Sequence, residues 1–172
     1  LKQLVYTQGC ANIHVNACSN YPLSLDIQGS PNIDIQGNIL PGRFCIGGQA
    51  QFSAYWMNGC DFYVKASDCS RVCLGGRVGT FAADALQSAW VDARYLQSER
   101  AFVKSYNSAR VDLRACCALN MFASENSAIY YYKTPYFQAP FMQGAGKVVP
   151  MTHICAPVCT DCDWACCKNG WH

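Results

Sequence analysis

LDIQGSPNIDIQGNI, residues 25–39, carries the tetrapeptide Asp-Ile-Gln-Gly twice, at 26–29 and at 34–37. Each copy closes a short alternation of apolar and polar residues with a glycine. The GSPN between them is turn chemistry, because Gly and Asn accept left-handed backbone and Pro fixes φ. The pattern predicts a β-hairpin, and two copies are too few for a stacked repeat. Just upstream, NIHVNAC (12–18) sets Ile13 and Val15 against Asn12, His14 and Asn16, the two-residue period of a strand with one buried face. A second echo, CIGGQ at 45–49 and CLGGR at 73–77, reads twice as a strand that ends at a cysteine before a Gly-Gly turn.

After Gly79 the register changes. From Thr80 to about Arg110 there is neither Pro nor Gly, and Ala82, Leu86, Ala89, Trp90, Ala93, Leu96 and Val103 recur at three- and four-residue steps. That spacing predicts an amphipathic helix or a broken pair of helices, with Thr80 as its N-cap. Asp84 and Asp92 come early while Arg100, Lys104, Arg110 and Arg114 come late, the order a helix dipole favours. The stretch 111–122, VDLRACCALNMF, is open between strand and helix, and SAIYYYKTPYFQAPF (127–141) is strand-like, with Pro135 and Pro140 marking an edge. The expected fold class is therefore α+β: antiparallel sheets with one central helical segment over about 80–110, disulfide-rich, in a single domain of residues 1–172 whose last part, 143–172, is a cysteine-rich tail stapled onto the body.

The disulfide expectation rests on thirteen cysteines in 172 residues: Cys10, Cys18, Cys45, Cys60, Cys69, Cys73, Cys116, Cys117, Cys155, Cys159, Cys162, Cys166 and Cys167. Scattered cysteines in such number are characteristic of oxidising compartments, so the chain is expected to be secreted and extracellular. The first residue is Leu1, which suggests a processed chain. Cys159 and Cys162, with Cys166 or Cys167 and His153 or His172, have the spacing of a zinc site. A zinc protein in a reducing compartment would, however, have to keep eight further thiols idle, so no metal is expected. Adjacent cysteines bond each other only through a strained ring, so Cys116 and Cys117 should reach different partners, as should Cys166 and Cys167. An odd count leaves one thiol unpaired, available for a covalent dimer.

Charged residues make up 14% of the chain, well below the usual quarter, and 51% are hydrophobic, which suits a sticky binding face. Net charge is +2 with no basic run, so no nucleic-acid partner is expected, and no segment is apolar enough to span a membrane. Neither a Gly-x-Ser-x-Gly elbow nor His-Glu-x-x-His is present. Asp26, Asp34, Asp61, Asp68, Asp84 and Glu125 could converge as paired carboxylates, which keeps a small secreted hydrolase as the alternative. No cofactor is implied. The aromatic run offers the best binding surface: Tyr130 and Tyr132 share one strand face while Tyr131 takes the other, and Tyr136 and Phe137 follow. Such rings suit an extracellular protein or a carbohydrate. In composition the chain resembles the small cysteine-rich proteins that pathogens secrete against hosts. The resemblance implies a binding protein that is effector-, toxin- or defence-like.

Overall fold

A computed structural model describes residues 3–6 and 9–151. Twelve strands follow one another: β1 (Gln3–Tyr6), β2 (Asn12–Asn16), β3 (Leu23–Ile27), β4 (Asn32–Gln36), β5 (Pro41–Ile46), β6 (Gln51–Ala66), β7 (Arg71–Ala85), β8 (Trp90–Ser105), β9 (Arg110–Ser124), β10 (Ala128–Tyr131), β11 (Phe137–Gln143) and β12 (Lys147–Pro150). Every pairing between them is parallel. The chain winds as a parallel β-solenoid, and each coil contributes one strand segment to each of two stacks. The first stack holds β2, β4, the leading halves of β6 to β9, β10 and β12. The second holds β1, β3, β5, the trailing halves of β6 to β9, and β11.

The core lies between the stacks and is built from columns of in-register apolar side chains. Ile33, Phe52, Val72, Val91, Val111 and Ile129 form one such column, each at most 2% exposed. Phe44, Val64, Ala83, Val103 and Met121 form another in the facing stack. Phe44 meets Phe52 across the interior at 5.5 Å in an edge-on contact. β-branched and aromatic side chains suit a pleated surface with one buried face, which is why these columns hold so many of them.

Once per coil the backbone turns through a left-handed residue: Gly9, Gly29, Gly48, Asp68, Gln87, Asn107, Glu125 and Gly144 all have positive φ. Their spacing of 18–20 residues is the true period of the sequence. A second irregularity separates the two halves of a coil. At Gly76 φ is +131°, and a Cβ there would sit 2.1 Å from the Met57 carbonyl oxygen of the coil below. Only glycine fits that bulge.

The α+β expectation is overturned, since no helix occurs among the described residues. The span 80–110 covers the end of β7, a tight turn, β8, a second turn and the first residue of β9. Its three- and four-residue apolar steps arise because the turn at 86–89 and a register shift between Ala93 and Gln97 each reset the two-residue alternation. The expected hairpin also fails. β3 pairs with β5 while β4 pairs with β2 and β6, so the GSPN turn sends its flanking strands to opposite stacks. The CIGGQ and CLGGR segments are not equivalent either: Gly48 lies in a coil-closing turn, whereas Gly75 and Gly76 form the bulge inside β7.

The disulfide framework is corrected as well. Cys10, Cys18, Cys45, Cys60, Cys69 and Cys73 are free. Register explains two of them directly: Cys45 stacks between Asp26 and Lys65, and Cys73 between Ser53 and Asp92, so no thiol lies opposite another. Cys116 and Cys117, buried in β9, are the two described cysteines that are not free. Cys155, Cys159, Cys162, Cys166 and Cys167 lie outside the described residues. Of the expected tail, 143–150 belongs to the last two strands and the turn between them.

Two outcomes are expected. Gly76→Ala should cost about 2 kcal/mol or more, read as a lower midpoint in thermal unfolding, because both φ and the close carbonyl oppose a side chain. Alkylation of the native protein followed by mass spectrometry should label the exposed Cys10, Cys18, Cys60 and Cys69 first. Half-buried Cys73, whose thiol is pushed up by burial, should react slowly at neutral pH and faster as the pH rises.

Candidate functional site

Because successive coils stack in register, outward side chains also form columns, and those of the first stack make a continuous surface. Its middle column reads Asp34, Ser53, Cys73, Asp92, Asp112, Tyr130. On one flank run Gln51, Arg71, Trp90, Arg110, Ala128 and Lys147. Here cations and rings interleave. The Arg71 guanidinium lies 3.9 Å from the Trp90 ring centroid, Arg110 lies 5.1 Å from Trp90, and Arg110 lies 4.5 Å from Tyr130. Such contacts are attractive through the ring quadrupole, each by roughly 0.5–1 kcal/mol when exposed. On the other flank the Tyr55 ring occupies the space above Gly75, where a Cβ would meet its Cδ1 at 2.5 Å.

The carboxylates fix the arginines in place. Asp112 is fully buried although it points outward, because four donors cover it: Trp90 Nε1 at 2.7 Å, Arg110 Nε at 2.7 Å, Arg110 Nη2 at 2.9 Å and the Tyr132 hydroxyl at 3.0 Å. Arg94 donates Nε to Asp92 at 2.8 Å and Nη2 to its second oxygen. Two-pronged bonds of this kind hold a guanidinium plane rigid. They also raise the already high pKa of Arg94 and Arg110. Tyr132 is shifted upward by burial and then by Asp112, so its hydroxyl stays protonated and donating at neutral pH. At the other end of the column, Asp34 accepts from Ser53 at 2.6 Å and Gln36 at 2.9 Å and pairs with His14 at 3.0 Å. The Ser53 bond is the main cause that lowers its pKa.

Arg71 differs from Arg94 and Arg110. It has no carboxylate partner among the described residues, and it lies on the surface over the Trp90 ring. Tyr55 and Tyr95, at Gly75 on the other side of the middle column, are 37% and 47% exposed, and Trp56 is 74% exposed. The surface therefore offers a guanidinium that has no carboxylate partner among the described residues and lies on the Trp90 ring.

The expected binding residues divide between two places. Tyr130 and Tyr132 point outward into this ladder while Tyr131 is buried. Tyr136 and Phe137 are exposed at the start of β11, which belongs to the second stack. The six carboxylates do not converge. Asp26 and Asp84 lie on the second stack, Asp34 on the first, Asp61 in the trailing half of β6, and Asp68 and Glu125 in coil-closing turns. His153 and His172 lie outside the described residues. Arg71, Trp90, Arg94, Arg110 and Asp112 were missed. The signal that finds four of the ladder residues is spacing, since Arg71, Trp90, Arg110 and Tyr130 recur every 19 or 20 positions.

The described chain is thus a parallel β-solenoid with an outward face of stacked arginines and aromatic rings. Residues 3–135 match the family described as "Putative auto-transporter adhesin, head GIN domain", and the chain belongs to that family. It is similar to the crystal structure of a putative adhesin from Bacteroides fragilis NCTC 9343, with a TM-score of 0.71 and 11% sequence identity over 87% of this chain and 91% of that one. That likeness shows the fold. No curated protein matches the chain significantly. The family points to a surface or extracellular adhesin and gives no support to an effector or toxin. Among the described residues no helix is long and apolar enough to cross a membrane.

Asp112→Ala is expected to lower stability by roughly 2–4 kcal/mol in urea unfolding, because Trp90, Arg110 and Tyr132 would all lose their acceptor.

Proposed function

We propose that this chain is an adhesion domain that acts at the cell surface or outside it, and that its ladder face binds an acidic extracellular carbohydrate. The observation that carries this reading is Arg71, a guanidinium seated 3.9 Å over Trp90 without a carboxylate of its own among the described residues. A planar fork of donors matches a carboxylate or sulfate group in two-pronged fashion. The exposed Tyr55 and Tyr95 rings, across the middle column of the same face, supply apolar faces on which sugar C–H groups of a longer chain rest. Arg94 and Arg110 are already matched by Asp92 and Asp112, so they serve to hold the rings and leave Arg71 as the charge reader. Lys147, exposed at the far end of the same column, adds a second positive charge. This arrangement does not depend on a catalytic group, and it suits an adhesin, whose task is to hold on.

The test is calorimetric titration of the whole chain with uronic-acid and sulfated oligosaccharides and with neutral ones of the same length. Acidic chains should bind, more weakly as salt rises, and Arg71→Ala should weaken them about tenfold with the melting temperature unchanged. Equal affinity for neutral oligosaccharides, or an unaltered Arg71→Ala protein, would overturn the reading.

A further inference from the structure

The inward columns of the second stack lose their cover at the last coil. Ile46, Ala66, Ala85, Ser105 and Ala123 are each at most 1% exposed, yet the next member of their column, Met142, is 54% exposed. Pro140 over Met121, and Gln138 over Leu119, are likewise exposed although the residues beneath them are at most 3% exposed. Across the interior, Val148 stands over the fully buried Ile129 and is itself only partly buried. Among the described residues nothing lies over these four positions, so the core ends in an open face. A coil buries its apolar side chains only with a neighbour on each side, which is why stacked-coil folds require a terminal cap.

Two observations say what covers it. The first is a pair of thiol positions. Cys116 and Cys117, 2% and 1% exposed in β9, are not free, whereas the six other described cysteines are. Adjacent cysteines bond each other only through a strained ring, so the partners of this pair fall among Cys155, Cys159, Cys162, Cys166 and Cys167. The second is where the chain leaves the last strand. Pro150 stacks on Tyr131 and Tyr131 on Leu113, so β12 ends two coils, roughly 9.6 Å, above the part of β9 that runs on into Cys116. Cys155 follows Pro150 by five residues, a reach of about 17 Å when extended, and the later cysteines reach farther. The same segment carries Ile154, Val158, Trp164 and Trp171, apolar groups of the kind an open core lacks.

We infer that residues 152–172 fold back over the last coil and cap the core, tied there by bridges from Cys116 and Cys117 to two of the five cysteines at 155–167. Each bridge forms as two thiols give up two protons and two electrons to the disulfide of a thiol oxidoreductase, which is left as a dithiol. This is a staple at one end of the rod, and Cys10, Cys18, Cys45, Cys60, Cys69 and Cys73 remain thiols. It closes the face formed by Gln138, Pro140, Met142 and Val148, and it removes a row of unpaired strand edges that a second copy could otherwise extend.

The test is made on the whole chain in two parts. Proteolysis without reduction, followed by mass spectrometry, should yield the peptide that holds Cys116 and Cys117 joined to peptides from 155–167. Brief treatment with hydrogen peroxide should then oxidise Met142 at least about tenfold more slowly in the native chain than in the urea-unfolded chain, at any protein concentration, as it should the buried Met57 and Met121. A bond between Cys116 and Cys117, a bond from either to one of the first six cysteines, or free thiols at both overturns the inference. So does a Met142 that oxidises as fast in the native chain as in the unfolded one, and so does protection that vanishes on dilution, which assigns the open end to a second copy. None of these outcomes bears on Arg71, so this inference and the ladder reading fail separately.

Discussion

The structure depends on backbone hydrogen bonds that run along the rod from each coil to the next. At one coil-closing turn after another the N–H of the lower-numbered side meets a carbonyl of the preceding coil at 2.9 Å: Gly47 with Ile27, Ser67 with Ile46, Leu86 with Ala66, Tyr106 with Ala85. Parallel, in-register stacking of this kind leaves each residue one place, either inside or outside, and one neighbour above and below. Core, turns and ladder are all columns imposed by that single constraint. A side chain that fits its column is reinforced by two neighbours, and one that does not is a fault in three coils at once.

The outward face of the first stack shows what the constraint permits. Carboxylates on an outer surface are ordinarily solvated, yet Asp112 is fully buried and Asp92 nearly so. Their burial is tolerable because the arginine in the same strand, two residues away, reaches back to cover each one, and because Trp90 and Tyr132 complete the shell around Asp112. The result is a face on which Arg94, Arg110, Trp90 and Tyr132 are held in place, as the binding proposed above would require. Pre-ordering of that sort lowers the entropy lost on binding.

Part of this was legible in the amino-acid order. The alternation at Ile13 and Val15 marks a real strand, GSPN is a real turn, and the opposition of Tyr131 to Tyr130 and Tyr132 describes the real faces of β10 and the residue after it. The period was not legible. Columns such as Ile33, Phe52 and Val72 conserve apolarity and not identity, so no tetrapeptide repeats at 19 or 20, while the identical Asp-Ile-Gln-Gly copies, eight apart, fall on different stacks. The helix pattern over 80–110 arose where a turn and a register shift break the two-residue rhythm. The ladder was half visible. Tyr130 and Tyr132 stood out in a run of rings, but their partners Arg71, Trp90 and Arg110 are joined to them only by a 19- or 20-residue spacing that carries no repeated residue and gains its meaning from the coil. Cysteine number says nothing about where each thiol falls in the coil, and Cys45 lies in the second stack while Cys73 lies in the first.

The arrangement of cations along the ladder also sets a length. Arg71, Arg110 and Lys147 occupy every second coil of one column, with Trp90 and Ala128 between them. Neighbouring parallel strands lie about 4.8 Å apart, so the charges recur at roughly 9.6 Å, a distance set by peptide geometry and insensitive to side-chain choice. The face is thus a ruler as well as a surface. Arg110 is matched by Asp112, so on the reading proposed above a stiff acidic partner reaches Arg71 and Lys147 together, four coils and roughly 19 Å apart, only when its own charges are spaced to that interval.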